Sequence, residues 1–316
     1  MGVFKKRKIL VTGGAGFIGS HIVDRLVSLG AEVTVLDNLV TGNLENIKHN
    51  LGKIKFLQKD LTDTGALEES LNGIEFVLHH AALRSVPQSV NKPFDYHLVN
   101  VTGTLNLFLK AKEKGVKRIV FASSSSIYGE RSNFPERETD LPKPLSPYGA
   151  TKLMGEYYAY IFSKLYKLDV ISLRYFNVFG PRQSLENQYA VVVPKFITCI
   201  LRGEKPPIYG DGKQERDFTY IDNVVEANIL AMQIEGLGGE VFNVASGRPQ
   251  SVNNLFKALK KIMAKDIKPL YLEPRAGDVN KTHADIRKIK SLLRWLPQVD
   301  FYEGLERTVE WFKQNY

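Results

Sequence analysis

A phenol and an ammonium stand four residues apart in Tyr148-Gly149-Ala150-Thr151-Lys152, within a stretch whose pattern predicts a helix over 147–166. Positions i and i+4 share one helix face, so both groups can point into one cleft. Tyrosine is a poor base at neutral pH, since bringing its reference pKa from near 10 to about 7 takes roughly 4 kcal/mol. A lysine about 6 Å away, at an effective dielectric near 20, contributes roughly 3 kcal/mol of that. A further positive charge beside the pair can supply the rest. The chemistry such a pair fits is removal of a proton from a hydroxyl. Upstream, Ser123-Ser124-Ser125-Ser126 ends an apolar segment. Ser124 can bind the reacting oxygen and pass its proton to Tyr148, whereas Ser125 reads as part of a serine-rich turn.

A second constellation lies at the start of the chain. Thr12-Gly13-Gly14-Ala15-Gly16-Phe17-Ile18-Gly19 has the Gly-x-x-Gly-x-x-Gly spacing between an apolar segment and a helical one. Gly13 permits the tight turn, Gly16 lets a pyrophosphate approach the backbone, and Gly19 lets the helix sit close to the strand. The helix N-terminus adds free N–H groups and partial positive charge. Asp37 follows Gly19 by 18 positions, at the end of the next apolar segment. A carboxylate there accepts both hydroxyls of an adenosine ribose and repels a 2′-phosphate, which favours NAD over NADP. Asp60 and Leu61, after the third apolar segment, are positioned for the adenine.

The elements that must carry these groups are legible in the hydrophobic pattern. Strand-like runs at 8–12, 33–37, 54–58, 76–79, 118–123 and 170–175 alternate with helical stretches such as 17–30, 94–114 and 147–166. Alternation of this kind predicts a doubly wound parallel sheet (the Rossmann arrangement), covered by helices on both faces. After Gly180 the rhythm becomes irregular, with helical patterns at 191–202, 222–234 and 252–264 between Gly- and Pro-rich loops. The expected organisation is a cofactor domain over 1–180, with 218–245 returning to it, and a smaller C-terminal α/β substrate domain over 181–316.

Composition narrows the functional classes. Of 316 residues, 43% are hydrophobic and 24% charged, as in ordinary globular proteins, and no apolar run reaches the roughly 20 residues of a membrane span. The net charge of +9 is scattered, which speaks for a solvated surface rather than a nucleic-acid patch. Cys199 is the only cysteine, so the chain reads as a cytoplasmic protein without disulfides or a thiolate metal cluster. His79 and His80 have no third ligand spaced to join them, and no metal site is expected.

Taken together, the residues resemble the extended short-chain dehydrogenases/reductases, and within them the UDP-hexose 4-epimerases. The resemblance spans nearly the whole chain. It runs through the glycine turn, Asp37-Asn38, His80-Ala81-Ala82, Asn100, the serine run, Tyr148/Lys152, 173–180, Tyr209-Gly210-Asp211-Gly212, Arg216-Asp217-Phe218, Phe242-Asn243-Val244 and Arg275-Ala276-Gly277-Asp278. It implies NAD held by Gly13, Gly16, Phe17, Ile18, Gly19, Asp37, Asn38, Asp60, Leu61, Ala82, Asn100, Tyr148, Lys152 and Tyr175. It implies a UDP-sugar diphosphate on Asn177, Arg216 and Arg275, with Val192 and Tyr209 near the uridine and Ser124, Ser126 and Tyr148 at the sugar. Two arginines also suit a dianionic diphosphate on chemical grounds. It implies a homodimer through the helices of 94–114 and 147–166.

The same residues sort relatives. Sugar-nucleotide dehydratases and decarboxylases carry acidic groups in the serine-run positions, and none stands here. The expected reaction is thus return of a hydride to C4 of a UDP-hexose through a 4-keto intermediate. The segments 81–90, 180–192 and 277–282, with Asp278 and the compact Thr282, resemble relatives that admit a 2-acetamido group. UDP-N-acetylglucosamine and UDP-glucose are both candidate substrates, the former preferred. UDP-glucuronate is the alternative, with Arg84 facing its carboxylate. A net oxidoreductase and a non-catalytic dinucleotide-binding regulator are the readings from other classes.

Overall fold

The computed structural model describes residues 4–184, 192–274 and 279–316. The first half alternates as its hydrophobic pattern requires. Strands β1 (Lys8–Thr12), β2 (Glu32–Leu36), β3 (Ile54–Leu57), β4 (Phe76–His79), β5 (Arg118–Ser124) and β6 (Asp169–Tyr175) are interleaved with helices α1 (Phe17–Ser28), α2 (Thr64–Ser70), α3 (Val86–Asn91), α4 (Pro93–His97), α5 (Gly103–Glu113) and α6 (Pro147–Leu165). The second half runs β7 (Val178–Phe179), α7 (Val192–Leu201), β8 (Pro207–Tyr209), β9 (Glu215–Arg216), β10 (Thr219–Tyr220), α8 (Ile221–Gln233), β11 (Val241–Val244), β12 (Gln250–Ser251), α9 (Val252–Ile262), β13 (Leu270–Leu272), α10 (Arg287–Leu292) and α11 (Phe301–Asn315).

Among the described residues the main sheet has seven strands in the order β11-β6-β5-β4-β1-β2-β3. Every pairing in it is parallel. The order reverses between β1 and β4, so the carboxyl ends of those two strands open a crevice in which such sheets hold ligands. Because helices cover both faces, β5 reads as a continuous buried run, with all seven residues buried. Phe121, in its middle, is 1% exposed; burial of such a ring contributes about 1.5–3 kcal/mol. Arg118, at the start of β5, is buried because Asp169 on β6 takes its Nε at 2.8 Å and the Met232 carbonyl takes Nη1 at 2.9 Å.

The chain returns to the sheet after residue 218. β11 adds to β6 in register Val241↔Ser172 to Val244↔Tyr175, and α8 packs on α1. The remaining elements gather beyond the carboxyl ends around α7, α9 and α11. α11 is not anticipated by the sequence reading above. Its buried residues Phe301, Leu305, Val309 and Phe312 form one stripe, and the Asp300 carboxylate caps it by accepting the Glu303 N–H at 3.0 Å. No helix among the described residues is long and apolar enough to cross a membrane.

Candidate active site

A cleft of about 490 Å³ opens at the carboxyl ends of the strands on either side of the β1/β4 switch. Its floor is the turn between β1 and α1. Gly13 has φ +70°, and a Cβ there would lie 2.6 Å from the Ala81 nitrogen. A Cβ on Gly19 would fall on the Gly13 carbonyl, so the helix comes this near only because both residues are glycine. The α1 N-cap is Gly16, which offers no capping side chain, and the first-turn residues Phe17, Ile18 and Gly19 line the cleft. Asp37 is 7% exposed; it accepts the Ala15 N–H at 2.9 Å and the Leu39 N–H at 2.8 Å. Burial nonetheless pushes its carboxyl above the usual range. Each oxygen keeps a second lone pair for a ribose hydroxyl. Asn38 donates to Asp60 at 2.6 Å, tying the second strand's end to the third's. This cradle fits a dinucleotide with a free 2′-hydroxyl.

The catalytic candidates converge on the same cleft. The Ser146 hydroxyl caps α6 by accepting the Gly149 N–H at 3.1 Å. A Cβ on Gly149 would lie 2.7 Å from the Ser126 carbonyl, which shows how tightly α6 sits on the serine turn. Tyr148 and Lys152 both line the cleft, with the Lys152 Nζ 6.0 Å from the Tyr148 ring centre. Lys152 Nζ donates to the Ala122 carbonyl at 2.8 Å. Burial pushes its pKa down to about 8. Burial likewise pushes the Tyr148 phenol up, while the facing Ser124 hydroxyl and the Arg84 charge pull it down. The direction differs from the sequence arithmetic, which counted attraction and omitted desolvation. Ser124 accepts the Ser126 N–H at 3.1 Å and donates to the Ser126 hydroxyl at 3.1 Å.

Below the serines lies a polar network missed by sequence reasoning. Ser123 donates to Glu156 at 2.5 Å, and Glu156 holds Arg174 through Nε at 2.9 Å and Nη2 at 2.7 Å. Arg174 donates to the Tyr128 hydroxyl, which donates to Asn243 on β11, each at 2.7 Å. Both charges of the Glu156–Arg174 pair are 4% exposed. The sequence offers no signal for this, because its partners come from β5, α6, β6 and β11.

Other sites fall in two groups. Gly13, Gly16, Phe17, Ile18, Gly19, Asp37, Asn38, Asp60, Leu61, Ala82, Arg84 and Tyr175 line the cleft. The Tyr175 hydroxyl is taken, accepting from His80 at 3.0 Å and donating to Asn228 at 2.9 Å. Asn100 is 2% exposed and stands behind the cleft wall, bonded to both the N–H and the carbonyl of Leu83. A short wide turn, Leu98–Thr102, places it there. Asn177, Arg216 and Thr282 gather around Asp217 instead. Asn177 donates to the Thr282 hydroxyl at 2.9 Å, and that hydroxyl accepts the Asp217 N–H at 3.1 Å. Arg216 is 9% exposed and donates to the Glu215 carbonyl at 2.9 Å. Val192 opens α7, and Tyr209 closes β8. Arg275 and Asp278 lie outside the described residues. Arg182 and Gln183, from the segment expected to bear on the choice of sugar, also line the cleft, as does Trp311, which was not anticipated. His79 and His80 are buried, and no metal-binding cluster occurs among the described residues.

With this geometry in view, comparison with known proteins gives a consistent result. Residues 9–245 match the NAD dependent epimerase/dehydratase family. The chain is 41% identical to a putative UDP-glucose 4-epimerase of Methanocaldococcus jannaschii, over 97% of this chain and 99% of that one. It superposes with a TM-score of 0.95 on a UDP-N-acetylglucosamine 4-epimerase from Methanobrevibacter ruminantium in complex with UDP-N-acetylmuramic acid, at 43% identity, covering 99% and 100% of the two chains. The UDP-glucose 4-epimerase of Thermotoga maritima with UDP-glucose gives a TM-score of 0.93 at 44% identity, covering 98% and 99%.

Proposed function

Since the chain belongs to the NAD dependent epimerase/dehydratase family, we propose that it is an isomerase that reversibly inverts C4 of a UDP-hexose. The observation that carries this is Tyr148, with Ser124 facing it and Lys152 beside it, opening into the same cleft as the glycine turn and Asp37. Bound NAD supplies hydride acceptance and return at C4. Tyr148 takes the proton of the 4-hydroxyl, beside or through Ser124, and gives it back to the same oxygen after the 4-keto sugar has turned its other face of C4 toward the hydride. Lys152 orients and charges the site, and Asp37 with Asn38 holds the adenosine end.

On this reading residues 1–180 with 218–245 serve the cofactor and 181–316 the sugar nucleotide. Asn177, Arg216 and Arg275 bind the diphosphate, with Val192 and Tyr209 at the uridine. UDP-N-acetylglucosamine is favoured over UDP-glucose, because Thr282 is compact and already occupied in fixing Asn177. Two copies pair through α4, α5, the turn between them and α6, where Phe94, Leu98, Leu109, Met154, Tyr157 and Ile161 expose apolar surface. The setting is the cytosol.

The test is a panel assay with UDP-glucose, UDP-N-acetylglucosamine and UDP-glucuronate, resolving C4 epimers by proton NMR. Conversion of at least one, lowered about 10²–10⁴-fold in Tyr148→Phe, is the expected result. Failure with all three in NAD-loaded protein overturns the reading, as does NADH accumulating in step with sugar consumed.

A further inference from the structure

Between the glycine turn and the helix of Tyr148 runs a chain of buried hydrogen bonds whose donors and acceptors can be assigned one by one. The Asn100 carbonyl can only accept, so the Thr104 hydroxyl, 2.7 Å away, donates to it. The Thr104 oxygen therefore accepts from His79 Nε2 at 2.9 Å, which puts a proton on Nε2. Nδ1 is then an acceptor, and the Thr12 hydroxyl at 2.7 Å donates to it while accepting the Ala81 N–H at 3.2 Å. At the far end, Asn100 Nδ2 donates to the Thr151 hydroxyl at 3.1 Å, and Thr151 donates to the Tyr148 carbonyl at 2.7 Å. The Asn100 side chain also grips Leu83 through its N–H at 2.8 Å and its carbonyl at 2.9 Å.

We propose that this relay, with a neutral Nε2-protonated His79 at its centre, holds the cleft wall Ala81–Leu83 and the helix of Tyr148 in register with the glycine turn. Thr12, His79, Thr104, Asn100 and Thr151 are positioning residues; none needs to touch the sugar. All five are at most 6% exposed, so no water stands in for a missing partner. The wall cannot shift toward the turn, because Ala81 already rests on Gly13. His79 is fixed laterally by the rings of Phe108 and Phe121, 6.4 and 5.7 Å away. The charged or titratable groups acting on His79 are Lys152 and His80, and both, with burial, disfavour its imidazolium. An imidazolium would face the Thr12 hydroxyl with a second proton and break the relay's direction.

This rests on Tyr148 being the base of the proposed epimerase, and the experiments separate the two ideas. In the NAD-loaded protein, Thr151→Val removes the hydroxyl at nearly constant volume, while Thr151→Ser keeps it. The expected result is kcat down about 10–100-fold in the valine variant, with KM and bound NAD within about 2-fold of wild type, and near-complete recovery in the serine variant. Wild type turning over while Thr151→Val matches it in kcat, or Thr151→Ser failing to recover, overturns the relay. Independently of turnover, ¹⁵N NMR of wild-type histidines, assigned with His79→Asn, reads the tautomer directly. His79 is expected to be neutral and Nε2-protonated between about pH 5.5 and 8; a titrating or Nδ1-protonated His79 overturns the proposal. No turnover of any UDP-sugar by the wild type, together with the expected tautomer, sinks the epimerase reading and leaves the relay standing.

Discussion

Replacing Lys152 with methionine keeps the length of the side chain and removes its charge, and the two consequences have opposite signs. Lys152 is 5% exposed, and burial lowers its pKa from 10.5 to about 8. The folded protein therefore holds this proton less tightly than the unfolded chain does. At pH 7, where Lys152 is charged in both states, the shift costs about 3 kcal/mol of stability. The cost is full below about pH 8, shrinks as the pH climbs from there, and is gone above about 10.5, where both states are neutral. Lys152→Met removes it but loses the bond to the Ala122 carbonyl, worth about 1–2 kcal/mol for a charged donor. The variant should thus be more stable by about 1–2 kcal/mol at pH 7 and no more stable, or slightly less, at pH 10.5. Other titrating groups cancel in the difference between the two proteins. Urea unfolding of both, stripped of cofactor, at pH 7, 9 and 10.5 measures it, and the epimer assay should show turnover down at least about 10²-fold. A stability difference that does not change with pH would refute the burial argument, and undiminished turnover would refute the catalytic one.

Glu156→Gln leaves Arg174 buried without its counter-charge, so unfolding stability should fall by about 3–5 kcal/mol, and the double variant Glu156→Gln/Arg174→Met should recover part of it; scanning calorimetry decides, and a single variant within about 1 kcal/mol of wild type would count against the network. Asp37→Asn turns one of two carboxylate acceptors into a donor aimed at a backbone N–H, so NAD affinity measured by titration calorimetry should drop at least about tenfold, with less discrimination against NADP.

What could be read from the sequence was local or periodic. The glycine spacing, Asp37 and the Tyr148/Lys152 pair announce themselves because one turn of chain, or one turn of helix, places their members together. The alternation of strand and helix through residue 175 is legible for the same reason, since a sheet covered on both faces needs unbroken apolar strands. Short elements such as β8 and β13 escape notice, being three residues each with no period to detect. The network under the serines escapes for a different reason. Glu156 and Arg174 are 18 positions apart, and Tyr128 and Asn243 are 115 apart, so only the parallel register of β5, β6 and β11 brings them together. Asn100 was recognisable as part of the site by resemblance, but its place behind the wall depends on a wide helical turn at Leu98–Thr102 that leaves no mark in the sequence.

The sharpest difference between sequence and structure concerns the proposed base. Charge arithmetic on an i, i+4 pair lets the lysine draw the phenol down toward neutrality. In the folded protein burial acts on both groups, raising Tyr148 and lowering Lys152 to about 8. The two shifts run in opposite directions, so burial favours the neutral form of each group and works against a phenolate beside an ammonium. For Tyr148 to act as the proposed base, further positive charge must face it. Arg84 provides part of that from the protein's side, and a bound oxidised nicotinamide would supply the rest. In the proposed reaction the base strength of Tyr148 would therefore depend on the oxidised form of the NAD that the glycine turn and Asp37 would hold. On the proposed reading, a buried tyrosine would thus serve both directions of a reversible reaction without a change of pH.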